Sequence, residues 1–231
     1  MKKNFIFLFN IAFLILQITG TLVYMFVGNP YMWKTFASLT FLIGGIVNLV
    51  YVFCNKEEFK ANSNFKYFMI IGLFFAMLGD IMLIDYFIIG AALFAVGHVW
   101  YFCAYTTIVK VNMKDFLCSL AIFIVCIAII LFVPIFEYDG MLWVILIYAF
   151  VISIMLGKSV ANYFFNAKNV TSLIIMIGSI MFFLSDMMLL FNVFGGVGEW
   201  ADILCLLFYY PAQYLLAISI CFASKNTAAK E

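Results

Sequence analysis

Two carboxylates stand where charge is expensive. Asp80 lies in the run Leu78-Gly79-Asp80-Ile81-Met82-Leu83, and Asp186 in Leu184-Ser185-Asp186-Met187-Met188-Leu189. Both runs are otherwise apolar. A carboxylate at the centre of a membrane helix costs roughly 2.5–3.5 kcal/mol on insertion scales, so such residues face the bundle interior and mark sites. Two carboxyl groups in a dry pocket suit proton transfer: one can stay a neutral acid while its partner stays ionised. His98 is the only histidine of the chain. With no second histidine, a catalytic zinc site, which usually takes three protein ligands, is not signalled. Two aspartates with one histidine could hold a metal only as the lesser reading.

The elements that must carry these residues follow from composition. The chain has 231 residues, of which 68% are hydrophobic and 10% charged. No soluble domain of this length has an interior large enough for that much apolar surface. The fold class is therefore all-α: an integral membrane bundle, read as a single transmembrane domain over 1–231. The net charge of +1 comes with no basic patch, which excludes nucleic acid as a partner. The six cysteines form no Cys-x-x-Cys pair and read as buried thiols. The apolar stretch from Phe5 to Val27 is too long for a signal peptide core, and no Ala-x-Ala site follows it, so it reads as the first membrane helix.

About 20 apolar residues cross a bilayer. Eight stretches of the sequence fit, near 5–27, 33–54, 66–84, 86–109, 116–136, 141–160, 170–194 and 201–223. The charges agree with eight. With a cytoplasmic N-terminus, and hence a cytoplasmic C-terminus, 11 of the 12 lysines fall on the inside, Lys158 among them. The outside turns carry Asp85, Glu137, Asp139, Glu199 and Asp202. This is the positive-inside pattern of a multi-pass cell-membrane protein. Lys34, at the outer end of span two, is the exception. It reads either as a snorkelling interfacial lysine or as a cation for a phosphate or carboxylate.

Polar residues recur at helical spacing: Asn10, Gln17, Thr21 and Tyr24 on span one, Lys34, Ser38, Gly45 and Asn48 on span two, and His98, Tyr101 and Tyr105 on span four. Steps of three, four and seven put each set on one face, which in lipid turns inward. Span five has no strong polar group and reads as scaffold. At 1.5 Å per residue, Asp80 lies about 7 Å, Asp186 about 12 Å and His98 about 18 Å below the outer edge, with Gln213 at a depth like that of His98. The unusual groups therefore belong to the extracytoplasmic half. The echo between the two aspartate runs reads as chance similarity rather than an internal duplication.

Four ordered motifs add to this reading. Gly79-Asp80, Gly97-His98-Val99-Trp100-Tyr101, Ser185-Asp186 and Tyr209-Tyr210-Pro211-Ala212-Gln213 resemble the signatures of the lysoplasmalogenase family, also called YhhN-like proteins. The family usually has Lys-Pro at the start of span two; here it is Lys34-Thr35, which keeps the charge and loses the helix-starting proline. The resemblance implies eight membrane spans and hydrolysis of the vinyl ether bond of a lysoplasmalogen drawn from the outer leaflet. The products would be a fatty aldehyde and a glycerophospho-ethanolamine or -choline. Asp80 and Asp186 would be catalytic, without a metal or cofactor. Lys34 would meet the lipid phosphate, and His98, Tyr101, Tyr209, Tyr210 and Gln213 would bind or orient.

Two other readings compete. A proton-coupled small-molecule transporter could use buried Asp80, Asp186 and His98 as a relay, and would need access from both faces. An intramembrane aspartyl protease also needs two membrane aspartates. Its Gly-x-Gly-Asp element is broken here by Met77, and Pro211-Ala212 is followed by Gln213 rather than Leu.

Overall fold

The computed structural model describes residues 3–27, 30–55 and 63–223. Among them the chain forms eight long helices and no strand: α1 (Lys3–Val27), α2 (Pro30–Cys54), α3 (Ser63–Met82), α4 (Phe87–Ile108), α5 (Met113–Phe132), α6 (Leu142–Ala161), α7 (Val170–Gly195) and α8 (Glu199–Ala223). A five-residue π turn, Asn162–Asn166, extends α6. All eight helices are long and apolar enough to cross a membrane. With no water in the bilayer core, every backbone polar group must be satisfied inside its own segment, and helices do this. The lysines at 2, 56, 60, 225 and 230 lie outside the described residues.

Local chemistry sets the helix ends. Asn112 and Asp115 form a reciprocal capping box at the start of α5: the Lys114 amide donates to the Asn112 side chain (2.9 Å), and the Asn112 amide donates to Asp115 Oδ2 (2.8 Å). The helix stops at Phe132, four residues short of the expected 136. Pro134 disfavours helical geometry at the residue before it. Asn169 caps α7 by accepting from the Ser172 amide (2.9 Å), and Gly196 ends that helix in the left-handed region at φ 57°.

The helices pack as a ring in the order α2, α3, α4, α6, α7, α8, closed by α8 against α2. α1 lies along the seam of α2 and α8, α5 lies outside against α6, and α3 reaches α8 across the interior. Thus α3 and α7, which carry the two buried aspartates, share no extended packing; they face each other across the ring. The α3–α4 hairpin is drawn tight by glycine. A Cβ on Gly90 would sit 2.8 Å from the Leu83 backbone, and one on Gly79 would sit 2.9 Å from the Phe94 ring. Small residues at helix crossings are how membrane helices approach closely. The glycine of the Gly79-Asp80 pair is therefore part of what sets the carboxyl beside it.

Candidate active site

The α3–α4 and α7–α8 turns lie at one end of the bundle, and both aspartates lie near that end. Asp80 is buried, and its Oδ2 accepts hydrogen bonds from Ser38 Oγ (2.5 Å) and Tyr210 Oη (2.9 Å). Lys34 Nζ stands 3.6 Å from Asp80 Oδ1 and is 12% exposed. Donors from α2 and α8 thus surround this carboxylate, which sits on α3. Hydrogen bonds to an ionised acceptor are roughly twice as strong as neutral ones.

Asp186 has different partners. Tyr148 Oη donates to Asp186 Oδ2 (2.7 Å), and His98 Nε2 lies 2.9 Å from the same tyrosine oxygen and 3.5 Å from Asp186 Oδ2. A phenol has one proton, and Tyr148 gives it to Asp186 Oδ2. His98 Nε2 must then donate to Tyr148. His98 Nδ1 is buried and has no partner among the described residues. His98, Tyr148 and Asp186 form a relay from α4 through α6 to α7.

The two aspartates line one cleft, together with Lys34, Asp202, Cys205 and Tyr209. Aromatic rings form its floor. Phe94, Phe182 and Tyr209 meet edge to face with centroids 5.4–5.9 Å apart, and the His98 ring lies 4.6 Å from that of Phe182.

The other expected site residues sit beneath or beside this floor. Tyr101 donates to Gln213 Oε1 at 2.6 Å; both are fully buried one layer below the acids, and Gln213 Nε2 has no partner among the described residues. Tyr209 turns its hydroxyl to the Ala76 carbonyl (3.0 Å) and offers its ring to the cleft. Tyr210 bonds Asp80 directly. On span one, Asn10 pairs with Asn48 in both directions (3.0 and 3.1 Å), Thr21 bonds its own helix, and the amide of Gln17 is buried without a partner among the described residues. The side chain of Tyr24 lies outside the described set.

Sequence reading missed Tyr148. Its signal was slight, since a tyrosine in an apolar span is common and span six has no second polar group in register beside it. Asp202 was read as a turn residue, yet it lines the cleft. Span five was read as free of strong polar groups. In fact α5 begins three residues earlier than expected and contains Asp115, which is buried and pairs with Lys158 Nζ at 2.7 Å. Lys158, counted among the inside lysines, is fully buried in α6. Among the described residues, no group of three or more metal-ligating side chains is gathered.

Fold and site together define a multi-pass helical membrane protein with two carboxyl groups in one shared cleft. The YhhN family profile matches residues 30–220, all but α1 and the far C-terminus, and the chain belongs to that family, the family of lysoplasmalogenases. No curated protein and no solved structure matches the chain.

Proposed function

We propose that this protein is a membrane-embedded hydrolase that cleaves the vinyl ether bond of a lysoplasmalogen, releasing a fatty aldehyde and a glycerophospho-ethanolamine or -choline. The observation that carries this reading is the shared cleft of Asp80 and Asp186 with Lys34 at its edge. Family membership supports the hydrolase class. The lysine distribution supports a cleft opening to the extracytoplasmic leaflet.

A vinyl ether is cleaved by protonating the β-carbon of the alkenyl chain. In this reading Asp186 enters the reaction protonated on the oxygen that Tyr148 does not bond; it donates that proton, and the double-bond electron pair forms the new C–H bond. The positive charge left on the ether carbon and oxygen is offset by the Asp80 carboxylate. Water adds to the ether carbon and passes its proton to Asp80. The hemiacetal then breaks: Asp80 returns a proton to the departing glycerol oxygen, and the hydroxyl proton reloads Asp186. The environments suit these roles. Asp80 accepts from Ser38 and Tyr210 and faces Lys34, a setting for an anion. Asp186 ends a His98–Tyr148 relay that can carry a proton. Lys34 also suits the lipid phosphate.

A transporter would need a path to the opposite face. Beneath the aromatic floor lie the buried pairs Tyr101–Gln213 and Tyr105–Ser179, and then the Lys158–Asp115 pair. This layering favours the hydrolase.

The test is aldehyde release from an alkenyl lysophospholipid by the purified protein in liposomes. Release that is lost in both Asp80→Asn and Asp186→Asn is expected. Proton-coupled solute uptake without any cleavage would replace the hydrolase with the transporter.

A further inference from the structure

Asp186 faces two chambers. One is the cleft it shares with Asp80, Lys34 and Asp202. The other lies between α4, α6 and α7 and is walled by Phe87, Ala91, Val144, Leu190 and Phe194. Leu83, Phe94, Asp186 and Leu189 belong to both chambers, which therefore lie side by side at the level of the same α7 turns. Their linings differ in kind. The first has three aspartates and a lysine along its walls. The second offers hydrocarbon and aromatic surface, and its residues with polar side-chain groups are Asp186 and Tyr148. Ligand pockets are typically apolar with a few placed polar groups. Here the placed polar groups stand at the junction of the two chambers.

We infer that the α4–α6–α7 chamber binds the hydrocarbon chain of an amphiphile whose anionic head occupies the Lys34 side of the cleft. The inference rests on reading the cleft as a lipid-acting site, and it specifies how the lipid lies. A polar metabolite would fill the first chamber and leave the second uncovered. A molecule with a charged end and a long chain covers both. Its head–chain junction, where a vinyl ether sits, then falls beside Asp186.

The experiment uses a lysophospholipid with a non-cleavable alkyl ether and a diazirine at the chain end. The full-length protein in liposomes is photolabelled, and the modified residues are mapped by mass spectrometry. Labels on α4, α6 and α7 around Ala91, Val144 and Leu190, displaced by unlabelled probe, are expected. Filling the chamber by Ala91→Phe, or separately by Val144→Phe, lowers that labelling by about tenfold. Ile147→Phe, on the same helix as Val144 but 65% exposed, leaves it unchanged. Labels along the α1–α8 seam near Gln17, labels scattered over lipid-facing residues, or labelling untouched by either filling would overturn the inference. The wild-type map alone decides should a filled variant misfold. Chamber labelling without cleavage of the alkenyl lipid keeps the chain site and removes the hydrolase reading. Cleavage with labels elsewhere does the reverse.

Discussion

The bundle holds a lysine–aspartate pair toward each end, Lys158–Asp115 and Lys34–Asp80, and they differ in closure. Lys158 is fully buried: its Nζ meets Asp115 Oδ2 at 2.7 Å and the Lys110 carbonyl at 3.2 Å. The same Asp115 oxygen also caps α5 through the Asn112 amide. A Cβ on the nearby Gly157 would overlap Ser119, so α5 and α6 are in backbone contact beside the pair. Lys34 and Asp80 stand farther apart, at 3.6 Å, with the lysine partly exposed and a cleft alongside. A charge inside a membrane bundle is by default a hypothesis of function. The comparison refines that rule. A short, fully buried, capped pair ties helices together, whereas a longer pair that borders a cleft can admit a third group.

Removing a carboxyl group at the open end should have the largest effect. Asp80→Asn and Asp186→Asn are each expected to lower alkenyl-lipid cleavage by about 10²–10⁴-fold, the usual span for an acid–base group. The thermal midpoint in detergent should stay near wild type, and either variant at full rate would take its residue out of the chemistry. At the closed end the loss should appear in stability. Lys158→Met strands Asp115, and breaking a buried pair this way costs about 3–5 kcal/mol. Thermal unfolding should register that loss, and Lys158→Met/Asp115→Leu should recover most of it. An unshifted midpoint in the single variant would contradict the tying role.

Smaller changes sharpen the contrast. Tyr148→Phe removes the hydroxyl between His98 and Asp186. Leaving buried polar partners unmatched costs about 1–3 kcal/mol, so a fall of about tenfold in kcat is expected with the helical signal intact. Equal kcat would remove the relay. Lys34→Gln is the mildest. A partly exposed ion pair is worth about 0–1 kcal/mol to stability, so the midpoint should hardly move. KM for the anionic lipid should rise while kcat changes little, and the reverse split would give Lys34 a role in the chemical step instead.

Much of this molecule was legible in its residues. The eight spans follow from apolar length and the lysine pattern, and the structure moves their ends by only a few residues. The largest shift, in α5, has a local cause in Pro134 and the Asn112 cap. Asp80 and Asp186 stood out because charge within an apolar run has few explanations. The partners of those acids were harder to see. Ser38 was visible as part of a polar stripe, yet nothing in the stripe aims it at Asp80. Tyr148 lacked any pattern. Asp115 and Lys158 looked like span-end charges, 43 positions apart. The echo between the two aspartate runs does not extend to their surroundings, since Asp80 bonds a serine and a tyrosine from α2 and α8 while Asp186 bonds a tyrosine from α6.

The sequence by itself determined the helices, their number and that Asp80 and Asp186 had to turn inward, because lipid penalises an unpaired polar group within an apolar run. The tertiary structure decided which inward groups meet. The acids face one another although their helices are not packed side by side, since α3 reaches α8 across the interior and the ring order brings α7 around to the same cleft. Pairings of that kind depend on helix order and rotation about the bundle axis. Both are fixed by side-chain packing between segments far apart in the chain, and hydropathy carries no record of them.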